Sequence, residues 1–284
     1  MIPVVAGSSP VGHPNLVPPR APLHWRAPAF RGTTPQAVFR AVMHAALSQV
    51  ETNARGVLLS DDPEFLHQLR VGLRRLRSAL RAFNSLLAGK EVKRVTRALR
   101  KVTPKLGAAR DWDVLVARLE AGGELEMLQK ARRERDEARR VARRALLSKA
   151  FAKVPAEAAA LTVTPQRKSL AEVGAAALNR AHRKLIKAAQ DIDWADAAER
   201  HAVRIRVKRL RYACEFFATA FPGRRTDTYV AKLKELQDIF GELNDLAVGQ
   251  RLLGFAGEET ALLSRLARAW PAFERRRPFW RAAA

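Results

Sequence analysis

Apolar residues recur at spacings of three and four along most of the chain, the mark of helices with one buried face. Val38, Val42, Ala45 and Ala46 open the pattern, and Gly56 reads as its stop. Asp62-Pro63-Glu64 is a start signal: an aspartate cap, proline at the first helical position, then an acid in the first turn. This helix is predicted to reach about Leu87, with Gly89 ending it. Val92, Val95, Leu99, Val102 and Leu106 carry the next helix, interrupted by Pro104 and continued through Asp111 to Leu119, before Gly122-Gly123 breaks the chain. Residues 124 to 152 form one long charged helical pattern, and Pro155 to Pro165 reads as a spacer between two halves. Further helices are predicted over about 168 to 190, from near Asp193, over about 226 to 253, and over 258 to 270 before Pro271. Sustained period-two alternation is missing, so the expected fold is all-α. Residues 1 to 34 hold seven of the 15 prolines without periodicity and are predicted to form a flexible, extended tail.

One of these helices occurs twice. His67-Gln-Leu-Arg70-Val-Gly-Leu-Arg74-Arg75-Leu-Arg77 matches His201-Ala-Val-Arg204-Ile-Arg-Val-Lys208-Arg209-Leu-Arg211 at an offset of 134 residues. The same offset sets Leu106-Gly107-Ala-Ala-Arg110-Asp111 against Phe240-Gly241-Glu-Leu-Asn244-Asp245, which indicates internal duplication. His67, Arg70, Arg74, Arg77 and Arg81 fall within about 80° on a strip roughly 21 Å long. Leu69, Leu73, Leu76, Leu80 and Phe83 take the neighbouring arc as core. In the second copy His201, Arg204, Lys208 and Arg211 form the strip, over a core of Val203, Val207, Leu210, Cys214 and Phe217. Arg75 and Arg209 flank the two strips.

Charge sharpens this reading. Lysine and arginine number 52 against 28 acids, a formal net charge of +24. Like charges three and four residues apart weaken a helix by a few tenths of a kcal/mol per pair, so a doubled strip points to an anionic partner. Arginine grips two phosphate oxygens with its planar fork, and a neutral imidazole donates to one more. The histidines fit a phosphate contact and a packing role equally. Asp111 and Asp245 read as structural support, pairing with basic side chains; a metal site is disfavoured because no acid cluster accompanies either. Gly107 and Gly241 read as points of close helix contact.

The single cysteine fits a core position and a reducing compartment. No window approaches a membrane span, and the N-terminus lacks a secretion signal, so a soluble cytoplasmic protein with no membrane partner is expected. Inorganic polyphosphate and nucleic acid are the candidate polyanions for such a charge surplus. The strips are interleaved with aliphatic residues instead of the aromatic platforms that single strands favour, and Trp25, Trp194, Trp270 and Trp280 lie away from their centres. An enzyme is disfavoured: the chain shows no phosphate-binding glycine loop, no acids paired for Mg²⁺ and no activated nucleophile.

The repeated His-x-x-Arg-[Val/Ile]-x-x-[Arg/Lys]-Arg-Leu-Arg segment, with Leu236-Gln237-Asp-Ile-Phe240-Gly241-Glu-Leu-Asn244-Asp245, resembles the CHAD family, the conserved histidine α-helical domain. The likeness covers about residues 35 to 275, within a domain expected over 35 to 284 with halves of about 35–154 and 166–284. It implies two helical bundles related by a pseudo-twofold axis, with basic helices lining a central groove or pore. It also implies binding of inorganic polyphosphate without catalysis; no metal or cofactor is expected, and association with polyphosphate granules is left open among the physiological roles. The contacts it implies are His67, Arg70, Arg74, Arg75, Arg77, His201, Arg204, Lys208, Arg209 and Arg211. Arg81 joins them less securely, because Glu215 stands opposite it in the repeat. The Glu-x-Glu-x-Lys strand of the CYTH domain, which some relatives carry, is not found: Glu124-Leu-Glu126 is followed by Met127-Leu128.

Overall fold

A computed structural model describes residues 19–26, 34–165, 167–254 and 258–281. They form helices α1 (Pro35–Leu59), α2 (Pro63–Ala82), α3 (Gly89–Gly122), α4 (Leu125–Leu146), α5 (Lys149–Ala159), α6 (Leu170–Ala189), α7 (Ala197–Phe217), α8 (Arg224–Leu253) and α9 (Thr260–Glu274). Among the described residues the one β feature is an isolated bridge between Leu87 and Val163. The all-α expectation holds.

The capping signals act as read. The Asp62 carboxylate accepts from the Glu64 N–H at 2.8 Å, with Pro63 opening α2. Ser169 and Glu172, not singled out from the sequence as Asp62 was, close a reciprocal capping box on α6. Gly123 ends α3 at φ +73°, a left-handed conformation that glycine adopts without steric cost.

Several boundaries differ, each because packing outweighs a local signal. Gly56 does not stop α1; it lies inside the helix, where the Phe65 ring of α2 fills the space of a side chain, 2.0 Å from an ideal Cβ. α2 ends at Ala82, short of Leu87, and the chain passes into a 3-10 turn over Asn84–Leu86. The expected 124–152 helix is two, because Ser148 caps a new helix, its hydroxyl accepting from the Phe151 N–H at 3.3 Å. α5 then runs on past Pro155 with Val154 and Ala158 buried, so only residues 160–165 remain as spacer. α7 starts at the Asp196 cap; Asp193 instead holds the preceding turn, accepting from the Ala195 N–H. α9 continues through Pro271 to Glu274.

Most of the segment expected to be a flexible tail lies outside the described residues, but residues 19–26 are fixed. Asn53 of α1 exchanges two hydrogen bonds with the Leu23 backbone, at 3.1 and 2.9 Å. Trp25 then packs edge-on against Phe216 of α7.

One apolar cluster runs through both halves of the chain. Phe83, at the end of α2, meets Phe217 of α7 with ring centroids 4.7 Å apart, and Cys214 is fully buried in the same cluster. This shared core lays α2 beside α7 and turns the polar sides of both toward α3 and α8. Gly56→Ala should destabilise the fold by roughly 1–3 kcal/mol through overpacking against Phe65. Gly89→Ala, where no atom lies within 4 Å of the added carbon, should be close to neutral. Urea denaturation of both variants provides the check.

Candidate functional site

The two basic strips open on one cavity of about 710 Å³ between α2, α3, α7 and α8. Its lining pairs residues related by the 134-residue offset: His67 with His201, Arg70 with Arg204, Arg74 with Lys208, Arg110 with Asn244, Asp111 with Asp245, and Val114 with Val248. Each repeat therefore contributes a strip from its basic helix and a supporting triplet from the long helix that follows. Arg251 and Arg200 complete the charged part of the wall.

Electrostatics inside are dominated by burial and like charge. Arg70 and Arg204 are each held down to about 10, first by desolvation and then by Arg74. Lys208 falls furthest, to about 6, through burial reinforced by Arg74 and Arg204 and only partly opposed by Asp245. At neutral pH its amine is thus largely uncharged. His67 drops to about 4 through burial and Arg110, so its imidazole is neutral. Above about pH 4 His67 therefore meets a ligand as a neutral donor and adds no positive charge. Burial also pushes the Asp111 carboxyl up, against the pull of Arg70 and Arg251.

Several side chains are held in place by neighbours outside the strips. The Arg70 guanidinium lies across Gly107, where a Cβ would come within 2.8 Å of Nη1. Gly107 thus makes room for an arginine, whereas Gly241 has no atom within 4 Å of its would-be Cβ. His201 Nδ1 lies 2.9 Å from Asn244 Oδ1, and Asn244 Nδ2 donates to Asp245 at 3.4 Å. Asp111 accepts from Arg251 at 3.5 Å.

Of the residues expected to meet the ligand, His67, Arg70, Arg74, His201, Arg204 and Lys208 line the cavity; Arg75, Arg77, Arg81, Arg209 and Arg211 do not. Arg75 is the clearest correction. Its guanidinium is buried, bonded to Glu215 at 2.5 Å and sandwiched between Trp25 and Tyr212, with centroid distances of 4.3 and 4.6 Å. Arg211 pairs with the same Glu215 and donates to Gln237. Arg75, Glu215 and Arg211 are therefore an internal rivet between α2 and α7. Arg77 donates to Thr103 at 3.2 Å, and exposed Arg81 adjoins Arg77, Arg100 and Arg209 in a separate basic patch.

Sequence reading missed Arg110, Arg251, Arg200 and Asn244 as wall residues. Arg110 and Asn244 stand beside the repeated aspartates and could have been found through the offset. Arg251 and Arg200 carry no repeat signal, because Ala117 follows the first aspartate at Arg251's spacing and Leu66 precedes the first histidine where Arg200 precedes the second. Among the described residues no group of three histidine, cysteine or acidic side chains is placed to hold a metal ion, and no helix is long and apolar enough to cross a membrane.

Between pH 4 and 6.5 the unfolded chain carries a proton on residue 67 that the folded chain does not. Stability should therefore rise with pH across that window and level off above it as far as this group is concerned. His67→Gln should flatten the rise in denaturation midpoint measured from pH 4 to 6.5; an unchanged slope would contradict the assignment.

Comparison with known proteins places these features. The CHAD domain family model matches residues 41–254. The crystal structure of the CHAD domain from the plant Ricinus communis superposes with a TM-score of 0.69 at 30% identity, covering 93% of this chain and 95% of that one. PptA from Streptomyces chartreusis shares the fold, with a TM-score of 0.58 at 19% identity over 86% of this chain and 99% of its own. A search of curated protein sequences finds no match. With its doubled histidine-led basic helix, its all-α architecture and a family match across most of its length, the chain belongs to the CHAD domain family.

Proposed function

We propose that the protein binds inorganic polyphosphate in the cavity between α2, α3, α7 and α8, and that it does so without catalysing a reaction. The observation that carries this reading is the convergence of Arg70, Arg74, Arg204 and Lys208 from two repeats on one concave space, where Asp111 and Asp245 are the only carboxylates in the wall among the described residues. Folding concentrates these cations at an evident electrostatic cost, seen in the lowered proton affinity of three of them. An anionic polymer reverses that cost by supplying the missing negative charge.

The wall also favours phosphate over a nucleic acid. Its apolar part is Val71, Val114, Leu243, Val248 and alanines, and the one aromatic ring, Phe240, is buried. The exposed ring in the wall is the His201 imidazole, tied to Asn244 at 2.9 Å, and among the described residues no phenylalanine, tyrosine or tryptophan face is open there for a base to stack on. The apolar sides of α2 and α7 are spent on the core, so neither helix projects into a duplex groove. Phosphate recognition here would use guanidinium forks, the His67 and His201 rings and the Asn244 amide.

Each charge-assisted hydrogen bond contributes about 1.5–3 kcal/mol. Replacing Arg70, Arg74, Arg204 and Lys208 together by alanine should thus weaken binding of long-chain polyphosphate on the order of a thousandfold or more. Helicity should be unchanged, because the substitutions relieve repulsion. Titration calorimetry decides this, and wild-type affinity in the variant would refute the site. Affinity in the wild type should fall steeply with added salt, as counterion release requires. Competition against DNA at equal phosphate concentration should favour polyphosphate. Incubation with Mg²⁺ and polyphosphate should release no phosphate.

Lys208 adds a proton-linked signature. An anion beside the amine restores its charged form, so binding near neutral pH should take up protons, and affinity should increase as pH falls from 8 toward 6. Calorimetry in buffers of differing ionisation enthalpy measures that uptake. Lys208→Arg, charged throughout, should abolish it while retaining binding.

A further inference from the structure

The end of α8 remote from the cavity forms a second concavity, of about 700 Å³. Arg224 and Arg225 in the first turn of α8, and Arg276 and Arg277 just beyond α9, supply its charge. All four are exposed, and among the described residues none makes an ion pair. The acids nearest in sequence, Asp227 and Glu274, neither line the concavity nor pair with an arginine.

Apolar packing holds these arginines together. Tyr229 packs against Phe273, Phe279 and Trp280 with centroid distances of 5.3, 5.6 and 5.3 Å. Trp280 Nε1 donates to Asn179 Oδ1 at 2.9 Å, and the Arg276 N–H donates to the Phe273 carbonyl at 2.9 Å. The chain after α9 is thereby pinned against the start of α8. No side chain caps that 30-residue helix, so its positive end adds to the field of the arginines.

The contrast with α4 is informative. There Arg132, Arg135, Arg139, Arg140 and Arg143 are matched by Glu120, Asp136, Asp113, Glu137 and Asp61. Along α4 each of these arginines meets a carboxylate, and in the cavity Arg251 and Arg200 pair with Asp111 and Glu259; at the head of α8 none of the four arginines has one among the described residues.

We propose that the concavity formed by Arg224, Arg225, Arg276 and Arg277 is a second binding site for phosphate chains. It lies 16 residues along α8 from Phe240 of the cavity wall, about 24 Å at the helical rise. The choice of polyphosphate as occupant rests on the reading of the cavity; the anionic character of the occupant rests on the arginines alone. One long chain engaging both sites gains from high effective concentration, whereas a short chain meets each separately.

Calorimetric titration with tripolyphosphate tests the site directly. The wild type should show two sites. The variant R224A/R225A/R276A/R277A should show one, the cavity variant R70A/R74A/R204A/K208A one, and their combination none. A control of equal charge loss on exposed positions of α3, K93A/R97A/K101A/K105A, should keep both. With long-chain polyphosphate the α8 variant should bind about tenfold more weakly. The proposal is overturned if the α8 variant has as many sites as the wild type, or if the α3 control loses as much. Should the cavity variant keep two sites while the α8 variant loses one, the cavity reading fails and the second site stands.

Discussion

Everything in this molecule answers to one constraint: cations that repel one another must be kept side by side. α2 and α7 lie together because their apolar faces share a core, with Phe83 against Phe217, and because Glu215 is clasped by Arg75 and Arg211. Once that contact is made, Arg70, Arg74, Arg204 and Lys208 have nowhere to diverge. Burial first, and then this repulsion, make the Lys208 amine and the Arg70 and Arg204 guanidinium groups give up protons more readily than they would in water. A site built this way is preorganised, since reorganisation was completed during folding and not at the moment of binding.

Arginine therefore plays two opposed parts in the same helices. Arg75 and Arg211 are consumed internally, sharing the one carboxylate of Glu215, with the faces of Arg75 covered by Trp25 and Tyr212. Arg70 and Arg74, within two turns of Arg75, face the cavity without an ion pair among the described residues. The difference is one of azimuth: a rotation of about 100° per residue carries neighbours in the sequence from solvent-filled space to the helix interface.

That azimuth was readable in advance, and much of the fold with it. Asp62 and Gly123 announce helix ends through local chemistry, which is why those ends are legible. The cavity strips were legible because the 134-residue repeat doubled a weak signal. What escaped was set by contacts distant in sequence. Gly56 looks like a terminator until Phe65 is seen to occupy its vacant side, and Pro155 looks like a break until Val154 and Ala158 are seen to be buried. A helical wheel put Arg75 on the flank, but only the tertiary structure reveals that Glu215, 140 residues away, waits there. Trp25 was assigned to a loose tail for the same reason, since nothing near it in sequence discloses Phe216.

The exchange of Arg81 in one repeat for Glu215 in the other has an architectural consequence. Suppose the molecule were rebuilt as two identical halves. Copying α2 into both places would set a third guanidinium against Arg75 and the counterpart of Arg211, beneath the Trp25 ring, and the seam would be forced open. Copying α7 into both places would seal the seam twice and place a carboxylate in the patch that now holds Arg77, Arg81, Arg100 and Arg209. Perfect symmetry is thus barred to this chain: one half supplies the fastening and the other keeps its charge free, and neither sequence can stand in for its twin.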